Sequence, residues 1–169
     1  ALQDQIELIF QERGAADPER TAKQFLSDIR GHSGLLIERG LGDYGFIHLT
    51  FREYLAAVAV AQRGQRELSP VIELLAERAA DPSWREVLLL TIGYIGIVQQ
   101  RDAAAGEVLL RLIECNPGEN GTAAVLAGQA VLDTWPGGVT QQCRNSIIDV
   151  LLRTMVDTKS VKPAMRNRA

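Results

Sequence analysis

No glycine in this chain is followed by lysine, so it has no GxxxxGK[ST] loop and cannot cradle a triphosphate by the P-loop mechanism. It also lacks a GxSxG elbow and an HExxH pair, and it reads as having no dinucleotide fingerprint. Histidine and cysteine each occur twice. A Ser-His-Asp or Cys-His pairing can be drawn from His32, His48, Cys115 and the serines, but no spacing supports one. The sequence therefore offers no catalytic residue and no metal site, and the chain by itself reads as a non-enzyme. Cys115 and Cys143 stand alone, without a CxxC or a Cys/His cluster. They are expected to be buried reduced thiols of a cytosolic protein, not a disulfide framework.

Charge and hydropathy exclude more. A formal net charge of −3 creates no field favouring nucleic acid or an anionic membrane. The longest apolar run, Val87 to Val98, has 12 residues and falls well short of a membrane span. The chain opens Ala-Leu-Gln-Asp, without an initiator Met, a basic n-region or an apolar h-region. It looks cut from a longer polypeptide, with no targeting signal, and a cytoplasmic setting is expected. With 169 residues and 46% hydrophobic composition, it can bury a core as one domain or two small ones.

The most informative stretch runs from Ser33 to Ala61. Leu35 to Arg39 and Tyr44 to His48 are short apolar or aromatic runs. The loop between them, Gly40-Leu41-Gly42-Asp43, has hairpin length and carries glycine. Thr50-Phe51-Arg52-Glu53 has the pattern of a capping box, with Leu49 and Tyr54 placed as a hydrophobic staple. Phe51, Tyr54, Leu55 and Val58 then recur at i, i+3, i+4 and i+7, predicting a helix with that face inward. His48 lies two residues outside the predicted helix start.

Upstream, Ala1 to Arg13 is a helix candidate, ended by Gly14. A second starts at Asp17-Pro18 and runs to about Arg30, with Ala22, Phe25, Leu26 and Ile29 facing inward. Helix, hairpin and helix in this order predict the wing of a winged helix. Only two helices precede the wing where a full winged helix has three, so the domain is expected to be truncated. His32 is expected at a helix end.

The residues also carry a family resemblance. Phe25-Leu26, Ser33-Gly34-Leu35-Leu36, and above all Phe46-Ile47-His48-Leu49-Thr50-Phe51 followed by Glu53-Tyr54-Leu55-Ala56-Ala57, resemble the end of the winged-helix domain in NACHT-type STAND NTPases. These are the signalling ATPases that include the NOD-like receptors. The resemblance is sharp over Phe25 to Ala61, about a fifth of the chain. It implies that His48 contacts the β-phosphate of bound ADP in the intact parent protein, holding the winged helix closed over an upstream nucleotide-binding domain of the same polypeptide. On that resemblance ADP or ATP with Mg belongs to the parent, and this chain alone holds no cofactor.

Beyond Gln65 the punctuation predicts paired helices. Ser69-Pro70 opens one that ends near Ala80. Asp81-Pro82-Ser83-Trp84 opens another, apolar nearly all round from Val87 to Val98 and so expected inside a stack. Ala103 to Cys115, Thr122 to Trp135, and Thr140 to about Val156 follow, the last with Cys143, Ile147, Val150, Leu151 and Thr154 on one face. Helix starts at Asp81-Pro82 and Gly121-Thr122 lie about 40 residues apart, within the HEAT/armadillo period.

The fold expected is mostly α: a truncated winged helix with one β-hairpin wing over residues 1–63, then an α-α superhelix of HEAT-like helix pairs over 64–158, and a disordered tail over 159–169. The function expected is a regulatory and sensing fragment of a STAND (NACHT) ATPase. Its winged helix would gate nucleotide exchange, and its helical repeats would recognise a protein or ligand. Two alternatives stand beside it. One is a winged-helix DNA-binding protein with a helical dimerisation region, reading DNA through Arg20, Lys23, Gln24, Ser27 and Arg30. The other is a free-standing HEAT-like interaction scaffold, which leaves His48 without a purpose.

Overall fold

Asp17 and Pro18 begin the second helix as the sequence requires: the Asp17 carboxylate accepts the Arg20 amide at 3.0 Å, and Pro18 takes the first turn, where its missing N–H costs nothing. In the computed structural model, which describes residues 2–33, 35–40, 43–116 and 121–160, this helix is α2 (Pro18–Asp28), preceded by α1 (Leu2–Glu12). Phe10 and Phe25 join the two edge to face, ring centroids 5.8 Å apart. Ala22 and Leu26 are the buried part of the expected inner face; Ile29 is half-buried and Phe25 is exposed apart from its contact with Phe10. A π-helical turn, Ile29–Ser33, leads into the hairpin. The His32 side chain lies outside the described residues.

Strands β1 (Leu36–Gly40) and β2 (Asp43–Phe46) pair antiparallel, with Leu36 opposite Phe46 and Glu38 opposite Tyr44. The register shifts between Glu38 and Gly40, where a bulge turns the chain toward the loop. Arg30 ties the end of α2 to β1 through a 2.6 Å ion pair with Glu38. Gly40 to Gly45 happens to spell GxGxxG, but Gly40 ends one strand of a hairpin and Gly45 lies in the other. Because the last glycine lies in a strand and not in the first turn of a helix, the string is not a dinucleotide fingerprint.

Helix α3 spans Leu49–Arg63, and it departs from expectation in two ways. It starts one residue ahead of Thr50, so Thr50 lies inside the first turn, and among the described residues no hydrogen bond joins it to Glu53. The capping box is therefore not formed. The hairpin explains why: the Ile47 amide still bonds the Leu35 carbonyl at 3.0 Å, and the chain turns helical as soon as that pairing ends. The buried face is also different. Ala57, Val60 and Ala61 enter the core, whereas Phe51, Tyr54 and Leu55 remain largely exposed. The helical period is right but its phase is rotated by about a third of a turn.

The chain forms two compact units, residues 1–52 and 53–169, and the boundary falls inside α3. The second unit is built from α4 (Ser69–Arg78), α5 (Arg85–Gly93), α6 (Asp102–Cys115), α7 (Thr122–Asp133) and α8 (Gln141–Ser160). Helices α4, α6 and α8 neighbour one another in sequence order, and α5 packs on α7, giving two layers. Between them lies one core cluster containing Leu75, Leu88, Ile92, Leu109, Leu112 and Ile147. The Asp81 cap opens a 3-10 turn (Pro82–Trp84) before α5, and Trp84 packs against the core under the Arg78 guanidinium, 5.4 Å above its ring.

Val87, Leu88, Leu89, Thr91 and Ile92 make α5 the inner helix expected of it. Its continuation, a π-helical turn over Tyr94–Val98, leaves Ile97 and Val98 exposed instead of buried. Both cysteines are free thiols, but Cys115 is exposed and Cys143 only half-buried, against the expectation that both are buried. Helix α8 runs further than expected; of the tail, residues 161–169 lie outside the described residues.

Candidate functional site

Two places combine exposure with usable chemistry, one in each unit. The first is the start of α3. His48 occupies the cap position, its carbonyl accepting the Phe51 N–H at 3.2 Å. Its side chain is exposed, with the ring facing Phe51 at 5.9 Å between centroids. Among the described residues its imidazole nitrogens have no hydrogen-bond partner, so an N–H donor is available to a ligand. Arg52, one turn further on, is also exposed and has no acidic partner among the described residues. The first amides of a 15-residue helix add partial positive charge at the same end. An imidazole, a guanidinium and a helix N-terminus together suit a phosphate oxygen, so the residues present fit a nucleotide phosphate.

The second place is a groove of about 430 Å³ in the helical unit. Leu89, Leu90 and Gly93 of α5 and Ile97 and Val98 of the π turn form its floor, with Tyr54 on one side and Asp133 and Thr134 on the other. Tyr54 and Tyr94 meet edge to face with centroids 6.3 Å apart. The wider turn is what opens this surface: the Gln99 amide reaches back to the Tyr94 carbonyl at 2.9 Å, leaving Ile97 and Val98 on the outside. No sequence signal marked this groove, because a π turn has no composition signature of its own.

Three of the five side chains expected to read DNA are occupied. Lys23 pairs with Glu19 at 2.5 Å, Gln24 bonds Asp28 at 2.8 Å, and Arg30 pairs with Glu38. The hydrogen bond that Lys23 donates to the Glu19 carboxylate holds its ammonium above its ordinary pKa. Two of the three cations on this face are already matched by acids, which leaves less for a phosphate backbone.

Among the described residues no group of His, Cys, Asp and Glu could hold a metal ion, and no helix is long and apolar enough to cross a membrane. Residues 1–60 match the family described as the winged helix-turn-helix domain C-terminal to NACHT. Over those residues the chain is similar to that winged helix, and the match supports a C-terminal part of a NACHT-type protein. No curated protein and no solved structure matches the chain.

Proposed function

Starting from a winged helix of the kind found C-terminal to NACHT, we propose that this chain is the regulatory and sensing part of a cytoplasmic STAND signalling ATPase, itself without turnover. In this reading the nucleotide and its Mg²⁺ are held by the NACHT domain upstream. His48 donates a hydrogen bond to the β-phosphate of ADP, and Arg52 stands one turn away as a second cation. HEAT-like pairs of the helical unit recognise a protein or ligand, with the groove beside Tyr54 as the surface suited to it. The observation that carries the reading is the setting of His48: exposed, capping, with both ring nitrogens unengaged among the described residues, at the start of the helix whose later residues Ala57, Val60 and Ala61 are buried.

A hydrogen bond to a charged partner is worth roughly 1.5–3 kcal/mol. Made only in the closed state, it biases closed over open by about 10- to 150-fold, a usual size for coupling between sites. The test is nucleotide content. The chain is produced with its NACHT domain, denatured, and the released ADP and ATP are quantified with and without His48→Ala. Stoichiometric ADP that falls in the variant, with raised basal signalling, is the expected result. Unchanged ADP retention and basal activity in His48→Ala would remove the gate, and absence of nucleotide in both proteins would leave a helical binding scaffold as the better account.

A further inference from the structure

Gly93, Gly96, Gly106 and Gly128 lie inside helical segments of the helical unit, and three of them are explained by packing within the chain. A Cβ on Gly96 would sit on the Gly138 carbonyl, one on Gly106 would lie 2.5 Å from Cys143, and one on Gly128 would lie 2.6 Å from Leu151. Gly93 is different. Among the described residues a Cβ there meets only the Thr134 methyl group, at 3.9 Å, an ordinary contact. Its backbone is plain α-helix, with φ −58° and ψ −41°. Glycine costs a helix stability relative to alanine, and here neither the backbone nor the chain's own packing asks for it. What Gly93 does face is the groove beside Tyr54.

The rest of the groove carries charge of one sign. Two carboxylates line it, Glu86 from the first turn of α5 and Asp133 from the end of α7, and both side chains are exposed. Glu86 shares its carboxylate with Arg85 at 2.6 Å, whereas Asp133 has neither a hydrogen bond nor an ion pair among the described residues. None of the described residues lining the groove is basic. Helix α7 ends at Asp133, so the partial negative charge of its C-terminus adds to that of the carboxylate. Between the acids the surface is apolar: Leu90 and Ile97 flank the Gly93 notch, and Ile97 is 53% exposed.

We infer that this groove docks a basic amphipathic α-helix of a protein partner, its backbone close over Gly93 and its Lys or Arg side chains beside Glu86 and Asp133. The inference rests on the recognition role proposed for the helical unit and names the chemistry of the partner. The carboxylates set the sign of the partner's charge. The missing Cβ of Gly93 lets a second backbone approach closely. The floor sets the partner's secondary structure. It consists of apolar side chains, and among the described residues of 53–169 there is no strand edge, so an extended peptide would leave its N–H and C=O groups unpaired there. A helix satisfies those groups internally and offers one apolar face to the groove. Tyr54 and Tyr94 add aromatic surface of the kind that attracts Lys and Arg head groups.

The test is fluorescence anisotropy of the full chain with a labelled Leu/Lys peptide of helical period, about 18 residues or five turns long. A Leu/Glu peptide of the same pattern and a Leu/Lys peptide broken by a central proline are the comparisons. The Leu/Lys helix is expected to bind with a dissociation constant of about 1–100 µM, at least about ten-fold tighter than either comparison. Gly93→Ala adds one methyl group to the floor and should weaken binding about five-fold or more. Its thermal midpoint should hold or rise, a split that a merely structural glycine would not give. Glu86→Lys combined with Asp133→Lys should reverse the preference toward the Leu/Glu peptide. Leu132→Gln, outside the groove, should change neither affinity nor preference. The proposal is overturned by absence of binding, by equal binding of the acidic or proline peptide, or by affinity that follows Leu132→Gln and not Gly93→Ala. Self-association of the chain that Gly93→Ala abolishes would put a second copy in the groove and overturn it too. None of these results bears on the nucleotide content of wild type and His48→Ala, so the docking site and the gate fail separately.

Discussion

The imidazole of His48 and the ring of Phe51 face each other across the first turn of α3, with planes inclined by 53°. Phe51 is the nearest fixed wall for that imidazole, so its loss should free the ring without disturbing the core, since Phe51 is itself exposed. In the NACHT-containing protein, Phe51→Ala should lower ADP retention by less than His48→Ala does, and Phe51→Tyr should restore it. The unfolding midpoint should change little in either variant, as expected for an exposed site. Equal retention in Phe51→Ala and wild type would show that the ring contact does not position His48.

Asp81 offers a pH test. Its carboxylate accepts the Ser83 hydroxyl at 2.7 Å and the Ser83 amide at 2.9 Å, and these bonds hold its pKa below the ordinary 3.8. A carboxyl lowered in the folded state contributes stability that is fully present above its unfolded pKa and lost as pH falls through the folded one. Asp81→Ala should therefore lower the thermal midpoint at pH 7, and the gap from wild type should close as pH drops below the normal carboxylate range. Melts at a series of pH values measure it. A gap that persists unchanged at pH 2 would assign the effect to backbone geometry instead of charge.

The strong punctuation of the chain was legible, and so were the elements that depend on it. Asp17-Pro18, Ser69-Pro70, Asp81-Pro82 and Gly121-Thr122 all mark helix starts close to where helices begin, because prolines and caps act through local backbone chemistry. The hairpin was legible from its glycine loop and apolar flanks. What failed depended on tertiary approach. Thr50 looked like a cap because Glu53 follows it, yet strand pairing through Ile47 sets where the helix starts. Phe51, Tyr54 and Leu55 looked like a core face because they are large and helically spaced, yet Ala57, Val60 and Ala61 are the residues of α3 that are buried. His48 was found through a family string, not through its geometry.

The contrast between α6 and α7 can be measured directly. Leu109 is fully buried in the core, whereas Leu132 is mostly exposed. Leu109→Ala should destabilise the helical unit by about 2–5 kcal/mol, the usual cost of a buried leucine truncation. Leu132→Ala should stay within about 0.5 kcal/mol. Denaturant midpoints by circular dichroism separate the two. Similar losses at both positions would mean that Leu132 is covered in the free chain.

Gly106 marks a close approach of α6 to α8. A Cβ there would lie 2.5 Å from Cys143 Sγ and 2.7 Å from Cys143 Cβ, so neither helix has room for a methyl group. Gly106→Ala gains helix propensity but must push the helices apart, and overpacking of this kind costs about 1–3 kcal/mol. Cys143→Ala in the same chain removes the sulfur but leaves the Cβ clash, so the double variant should recover only part of the loss. Serine at position 143 keeps a heavy atom near the sulfur position and should recover less than alanine. A double-mutant cycle on urea midpoints reads the coupling. Full recovery by Cys143→Ala would place the strain on the sulfur alone, and a Gly106→Ala variant more stable than wild type would show that α6 and α8 can separate at no cost.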